Sequence, residues 1–182
     1  HLIISMDMNQ PSNNKVWIET HDFLVKSKLL LATAESATTG MLSERITSLS
    51  GSSSYFVGGL LAYHNKIKIA ALGVNEDLLI SCGAVSPQVA KKMAEGTCKF
   101  FEVDIGISIT GTAGPTGGTA KKPIGTAYIG ISFGKNSWAY PVLPKNIKQS
   151  RQANKEYFTL MALKHLSSLC SDIKNQKKQM DN

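Results

Sequence analysis

Three short segments hold the residue types that could do chemistry, and each has an ordinary reading beside a functional one. The first is TAESATTG, 33–40, where a short apolar run gives way to a helical pattern. In open α/β sheets ligands settle beyond the carboxyl ends of strands. A helix N-terminus there presents unpaired N–H groups to an oxyanion or a phosphate. On the functional reading Ser36 stands at that junction and the backbone of Ala37, Thr38, Thr39 and Gly40 faces the substrate. On the ordinary one, Ser36, Thr38 or Thr39 caps the helix. The second segment is AYHNKIK, 62–68, whose lysines either decorate a strand end or include one that is neutral and takes a proton from a serine. Neutrality needs burial or a neighbouring positive charge. His64 is a rival base, although no Ser-His-Asp geometry can be read from the sequence. The third segment is GTAGPTGG, 111–118. It matches neither G-x-x-x-x-G-K-[ST] nor G-x-G-x-x-G. It is either a loop whose amides wrap a phosphate or a plain flexible connection.

The elements that must position these segments follow from periodicity. Val16, Thr20, Phe23 and Leu24 share one side of a helix over 15–27. The run 29–34 reads as a buried strand, and 38–48 as a helix with Met41, Leu42 and Ile46 turned inward. A turn at 51–54 leads into a strand over 55–64, loosened by Gly58 and Gly59. One or two helical pieces span 65–82; Ser86 and Pro87 then open a helix that places Val89, Met93, Thr97 and Phe100 on one face. Strands are expected at 103–110, 124–133 and 137–143, the last two joined by a tight turn at 134–136, before a final helix over 148–171. Helical crossovers make the first three strands parallel, and short loops make the last two antiparallel. The expected architecture is α/β: a mixed five-stranded sheet with helices on both faces.

Composition narrows the function classes. The 182 residues are 42% hydrophobic and 18% charged, which suits a folded domain with a core. No apolar stretch is long enough for a membrane span and no signal-peptide series opens the chain, so a cytoplasmic protein without a membrane partner is expected. Cys82, Cys98 and Cys170 are odd in number and widely spaced, which favours inert thiols in a reducing compartment. His1, His21, His64 and His165 have no ligand spacing, and neither a metal nor a cofactor is expected. The net charge is +7, but only Arg45 and Arg151 are arginines. That bias disfavours a nucleic-acid partner, while the positive field suits a small phosphorylated substrate. Residues 1–14 read as a disordered or vector-derived lead, with Met6 or Met8 as a native start. A single domain is expected over 15–172, and a basic frayed tail over 173–182. The apolar residues of the last helix, Leu160, Met161, Leu163, Leu166 and Leu169, exceed one narrow stripe.

Taken together, TAESATTG, GSSSYFVGG, AYHNKIK with ALGV, CGAVSPQVAKKMAEG, ITGTAGPTGG and KPIGTAYIG, in that order over 30–133, resemble the nicotinamide-nucleotide amidohydrolase family, the CinA C-terminal domain family. The resemblance implies a three-layer α/β/α sandwich and conversion of nicotinamide mononucleotide to nicotinic acid mononucleotide and ammonia. It implies Ser36 as nucleophile, Lys68 as base and Tyr63 between them. Thr110 matches the residue that opens the glycine loop at Gly111, and Arg151 is the nearest match to a basic residue associated with the substrate phosphate. The family also implies a homodimer or larger even oligomer.

The chain departs from the family pattern in its motifs. Ala37 and Thr39 replace the cysteine and second glycine of E-S-C-T-G-G, and the arginine-rich segment before the last helix shrinks to Lys145, Asn146 and Arg151. No stretch matches the N-terminal nucleotide-pyrophosphatase domain that many members carry. Two rival classes stand beside the enzyme: a nucleotide-binding module that does not hydrolyse, and a DNA-linked competence factor.

Overall fold

The computed structural model describes residues 11–144 and 149–180. The expectations for 1–10, Lys145, Asn146, the helix start at 148 and 181–182 lie outside the described residues. In chain order the elements are α1 (Pro11–Ser27), β1 (Leu31–Glu35), α2 (Met41–Thr47), a short 3-10 turn (Ser52–Ser54), β2 (Phe56–Leu61), α3 (Asn65–Ala70), α4 (Glu76–Cys82), α5 (Pro87–Phe101), β3 (Ile105–Gly111), β4 (Ala127–Phe133), β5 (Asn136–Val142) and α6 (Arg151–Met180). The sheet runs β2-β1-β3-β4-β5. β1 pairs parallel with β2 and β3, while β3–β4 and β4–β5 are antiparallel. Both pairing modes agree with the crossover argument.

The two faces of the sheet differ because β3 and β4 alternate large and small residues. Ile105, Ile107, Ile109, Ile129 and Ile131 point to one side, where they form a core with Trp17 and Leu24 of α1, Leu42 and Ile46 of α2, and Phe158 and Leu166 of α6. Gly106, Ser108 and Gly130 point to the other side, against α5. There the helix backbone lies almost on the sheet: Ser108 Oγ donates to the Ala90 carbonyl at 2.6 Å. A Cβ on Gly130 would collide with that same carbonyl oxygen. β1 is buried on both faces along its whole length, as expected of a central parallel strand.

Several helical details differ from the sequence reading. α1 starts at Pro11 rather than 15, and its inward stripe is Trp17, Thr20, His21 and Leu24, whereas Val16 is 47% exposed. The stripe is set one residue round the helix, where Thr20 Oγ1 donates to Ser167 Oγ of α6 at 2.8 Å. Ser86 caps α5 as expected, accepting from the Val89 amide, with Pro87 in the first turn. At its far end, however, Phe100 is exposed and Phe101 packs on Gly58 of β2. α6 continues to Met180, beyond the expected end at 171. Its apolar excess is covered within the chain: Leu160, Leu163 and Leu166 are buried, and Met161 and Leu169 pack against the same core. Those residues therefore give no independent support to an oligomer. Among the described residues no helix is long and apolar enough to cross a membrane.

The closeness of α5 to the sheet makes Gly130 a sensitive position. Gly130→Ala should cost about 1–3 kcal/mol through overpacking. Thermal denaturation should show Tm falling by roughly 2–12 °C; an unchanged Tm would mean that α5 can lift off the sheet without cost.

Candidate active site

β1 and β3 lie side by side, and the chain leaves them at the same end of the sheet. Their next residues are tied together, since the Ser36 amide donates to the Ile109 carbonyl at 3.0 Å. A cavity of about 300 Å³ opens there, lined by Ser36, Ala37, Tyr63, Lys68, Thr110, Gly111 and Arg151 among the expected residues. This size suits a small molecule. Asn65, Ala84, Val85, Thr112, Ala113, Gly114, Thr116 and Gly117 complete the wall, so no carboxylate lines it among the described residues.

Lys68 is the decisive side chain. It lies in the last turn of α3, is 1% exposed, and curls back toward the residues that precede its own helix. Its Nζ donates to the carbonyls of Ala62 at 2.8 Å and Tyr63 at 3.1 Å, and lies 3.3 Å from Ser36 Oγ. None of these partners is charged. Burial without a counter-ion lowers the amine from its usual 10.5 to about 8. A neutral amine has two N–H groups and one lone pair. With the two carbonyls taking the hydrogens, the lone pair is left to face the Ser36 hydroxyl. Lys66, the other lysine of the segment, is exposed.

His64 does not compete for the role of base. It is the N-cap of α3, its Nδ1 accepts from the Lys66 amide at 3.1 Å, and it does not line the cavity. Tyr63 lies beside Lys68, but it is the Tyr63 carbonyl that holds Nζ. Tyr63 lines the cavity and is 61% exposed, and its hydroxyl makes no hydrogen bond among the described residues. Thr110 Oγ1 donates to the Ala84 carbonyl at 2.7 Å, which fixes the link between α4 and α5 at the cavity rim.

The turn after Ser36 differs from the expectation. No serine or threonine side chain caps α2; the N-cap is Gly40, at φ 97, a left-handed conformation that glycine adopts without strain. The unpaired amides of that helix end are taken by Glu35, the last residue of β1, which is 1% exposed. Thr38, Thr39 and Gly40 are consequently not on the cavity wall: Thr38 is buried with its hydroxyl on Glu35, and the Gly40 amide points there too. Of the amides of Ala37, Thr38, Thr39 and Gly40, only that of Ala37 both lacks a partner among the described residues and belongs to a cavity residue.

The glycine loop supplies a second set of amides. Those of Ala113, Gly114, Thr116 and Gly117 have no partner among the described residues. The loop is clamped by groups that the sequence reading passed over. Asn154 Nδ2 donates to the Ala113 carbonyl at 3.0 Å and Lys122 Nζ to the Cys82 carbonyl at 2.6 Å. Arg151, at the start of α6, donates from Nη1 to the Gly114 carbonyl at 2.6 Å, which sets its guanidinium on the cavity wall. Among the described residues no group of three or more His, Cys, Asp or Glu could hold a metal ion.

A family model described as the CinA C-terminal domain matches residues 13–170. The chain belongs to that family. Among curated relatives, a putative competence-damage inducible protein of Halothermothrix orenii is 48% identical over 114 residues, 63% of this chain and 28% of that protein. A CinA-like protein of Dictyoglomus thermophilum is 42% identical over 145 residues, 80% of this chain and 34% of that protein. The chain thus spans about a third of the length of these relatives. The CinA fold recurs in the crystal structure of the competence/damage inducible protein CihA from Agrobacterium tumefaciens. That structure has a TM-score of 0.80 and 29% identity, over 85% of this chain and 93% of that one. A CinA superfamily protein from Enterobacter cloacae gives a TM-score of 0.79 at 27% identity, over 85% and 90% of the two chains.

One departure from the family motif has a mechanical consequence. Thr39 holds φ 50, a conformation unfavourable for a β-branched residue, and its hydroxyl accepts from Lys155 Nζ at 2.7 Å. Thr39→Gly should stabilise the protein by about 1 kcal/mol, the left-handed strain outweighing one exposed hydrogen bond. Equilibrium denaturation would check this; a loss of stability would mean that the Lys155 contact outweighs the strain.

Proposed function

We propose that this chain hydrolyses the carboxamide of nicotinamide mononucleotide, releasing ammonia and nicotinic acid mononucleotide. The observation that carries the reading is the Ser36 hydroxyl facing a buried lysine amine that has only neutral partners. Ser36 Oγ attacks the carboxamide carbon and its proton passes to Lys68 Nζ. The oxyanion of the tetrahedral intermediate meets the Ala37 amide. When the C–N bond breaks, Lys68 returns the proton to the departing ammonia. Water then attacks the acyl ester, again giving its proton to Lys68, and the proton passes back to Ser36 as the acid leaves. The nucleotide phosphate lies against Arg151 and the glycine-loop amides, so that positive charge and N–H groups hold the end of the substrate remote from the reacting carbon. Family membership, together with Ser36, Lys68 and the cavity, supports this assignment over a module that only binds nucleotide.

Incubation with nicotinamide mononucleotide, nicotinamide riboside and nicotinamide, with ammonia measured, tests the substrate class. Only the phosphorylated compound should be turned over efficiently; no ammonia from any of them would leave the binding module as the better reading. Lys68→Ala should cost roughly 10²–10⁴ in rate. The Ser36→Ala, Lys68→Ala double variant should be little worse than either single one, because the pair acts as a unit. An active Ser36→Ala enzyme, or fully additive losses, would contradict the dyad. The base works only when neutral, and burial lowers its pKa. Activity should therefore be low below that pKa and rise with pH through about 8 to a plateau.

A further inference from the structure

We propose that Glu35 is a positioning residue for the oxyanion, acting through the turn that follows the nucleophile. The inference rests on the amidohydrolase reading above. A carboxylate at the end of a central buried strand is costly unless every oxygen is satisfied, and here five donors converge on it. Oε2 accepts from Thr38 Oγ1 at 2.6 Å, the Gly40 amide at 3.0 Å and the Leu42 amide at 3.1 Å. Oε1 accepts from the Ser43 amide at 2.8 Å and Ser43 Oγ at 2.7 Å. Ser43 Oγ also lies 2.7 Å from Thr33 Oγ1, which ties the turn back to β1.

These bonds turn the α2 end away from the cavity. A seven-residue helix whose first amides face Glu35 has none to offer a ligand. What the carboxylate does instead is fix the chain on the far side of the nucleophile. The Ser36 amide is pinned to Ile109, and Thr38 is pinned to Glu35. Ala37 is held between these two anchors, buried and on the cavity wall, and its N–H has no partner among the described residues. Glu35 thus does more than cap a helix. By holding the Thr38 hydroxyl and the first amides of α2, it fixes the turn that carries the Ala37 amide at the cavity.

A helix cap alone would alter stability and leave turnover per folded molecule intact. Steady-state ammonia release should therefore be measured on Glu35→Gln and Thr38→Val, normalised to the folded fraction from circular dichroism. Glu35→Gln keeps the shape but turns an NH2 group toward donors. It should lower kcat by about 10²–10³, with KM changed by less than about threefold and the pH midpoint unmoved. Thr38→Val removes one donor to Glu35 and should lower kcat about tenfold, again with little change in KM. Wild-type kcat in folded Glu35→Gln, or a change confined to KM, would overturn the proposal while leaving the amidohydrolase reading intact. If Glu35→Gln does not fold, wild-type kcat in Thr38→Val overturns it in the same way. A wild-type enzyme that releases no ammonia would overturn the amidohydrolase reading and this inference together.

Discussion

A lysine amine buried against carbonyl oxygens, with no carboxylate among the described residues to neutralise it, is the constraint on which the site depends. An ammonium in that position would lose hydration and gain only dipoles in return. The surroundings of Lys68 therefore favour the neutral amine, and they also orient it. Two carbonyls from 62–63 take its hydrogens, which leaves the third direction for Ser36. The local chain serves this arrangement: β2 ends just before those carbonyls, His64 caps α3, and one helical turn brings Lys68 back over them. A carboxylate beside Nζ would hold the proton and remove the base. Among the described residues the cavity wall has none, and the nearest buried acid in sequence, Glu35, is turned into the α2 end, where five donors hold it.

Base and acid thus occupy opposite sides of the nucleophile, each satisfied largely by backbone. The amine takes carbonyls and the carboxylate takes amides, so neither needs the other as an ion pair. An ion pair between them would hold the proton on the lysine and make it useless as an acceptor. The sheet makes the separation possible. β1 is flanked by β2 and β3, so its end can receive Lys68 from beyond one neighbour and the glycine loop from beyond the other. The loop is pinned from α6 by Arg151 and Asn154, and from the other side by Lys122 on Cys82. Unpaired amides are therefore held in place over the cavity.

Much of the framework was legible because the physics behind it is local. Crossover length distinguishes parallel from antiparallel strands, and the Ser86-Pro87 pair announces a helix start. Alternation in IGISIT, 105–110, marks a strand whose small residues admit a close helix. The errors also had local causes. Val16 and Trp17 differ by one step round a helix, as do Phe100 and Phe101, and apolar character alone cannot choose between neighbours; tertiary contacts with Ser167 and Gly58 decide. At the site, Ser36 was visible at the strand–helix junction, while its role as nucleophile came from the resemblance, as did Lys68, because nothing in AYHNKIK distinguishes the buried lysine from the exposed one. Glu35 was overlooked although its signal was present: an acid closing the otherwise apolar run LLLATAE must find several donors. Most of those donors are backbone amides, which leave no mark on the side-chain sequence. The same blindness placed Thr38, Thr39 and Gly40 in the pocket when their groups serve Glu35 or Lys155.

The central claim is that Lys68 holds an uncompensated amine, and NMR titration of the side-chain nitrogen tests it without any assumption about substrate. In protein labelled at lysine with ¹³C and ¹⁵N, one resonance should disappear in Lys68→Ala. In the wild type that resonance should titrate near pH 8. A Lys68 signal that stays protonated up to its usual 10.5 would contradict the account, because a charged ammonium cannot take the Ser36 proton.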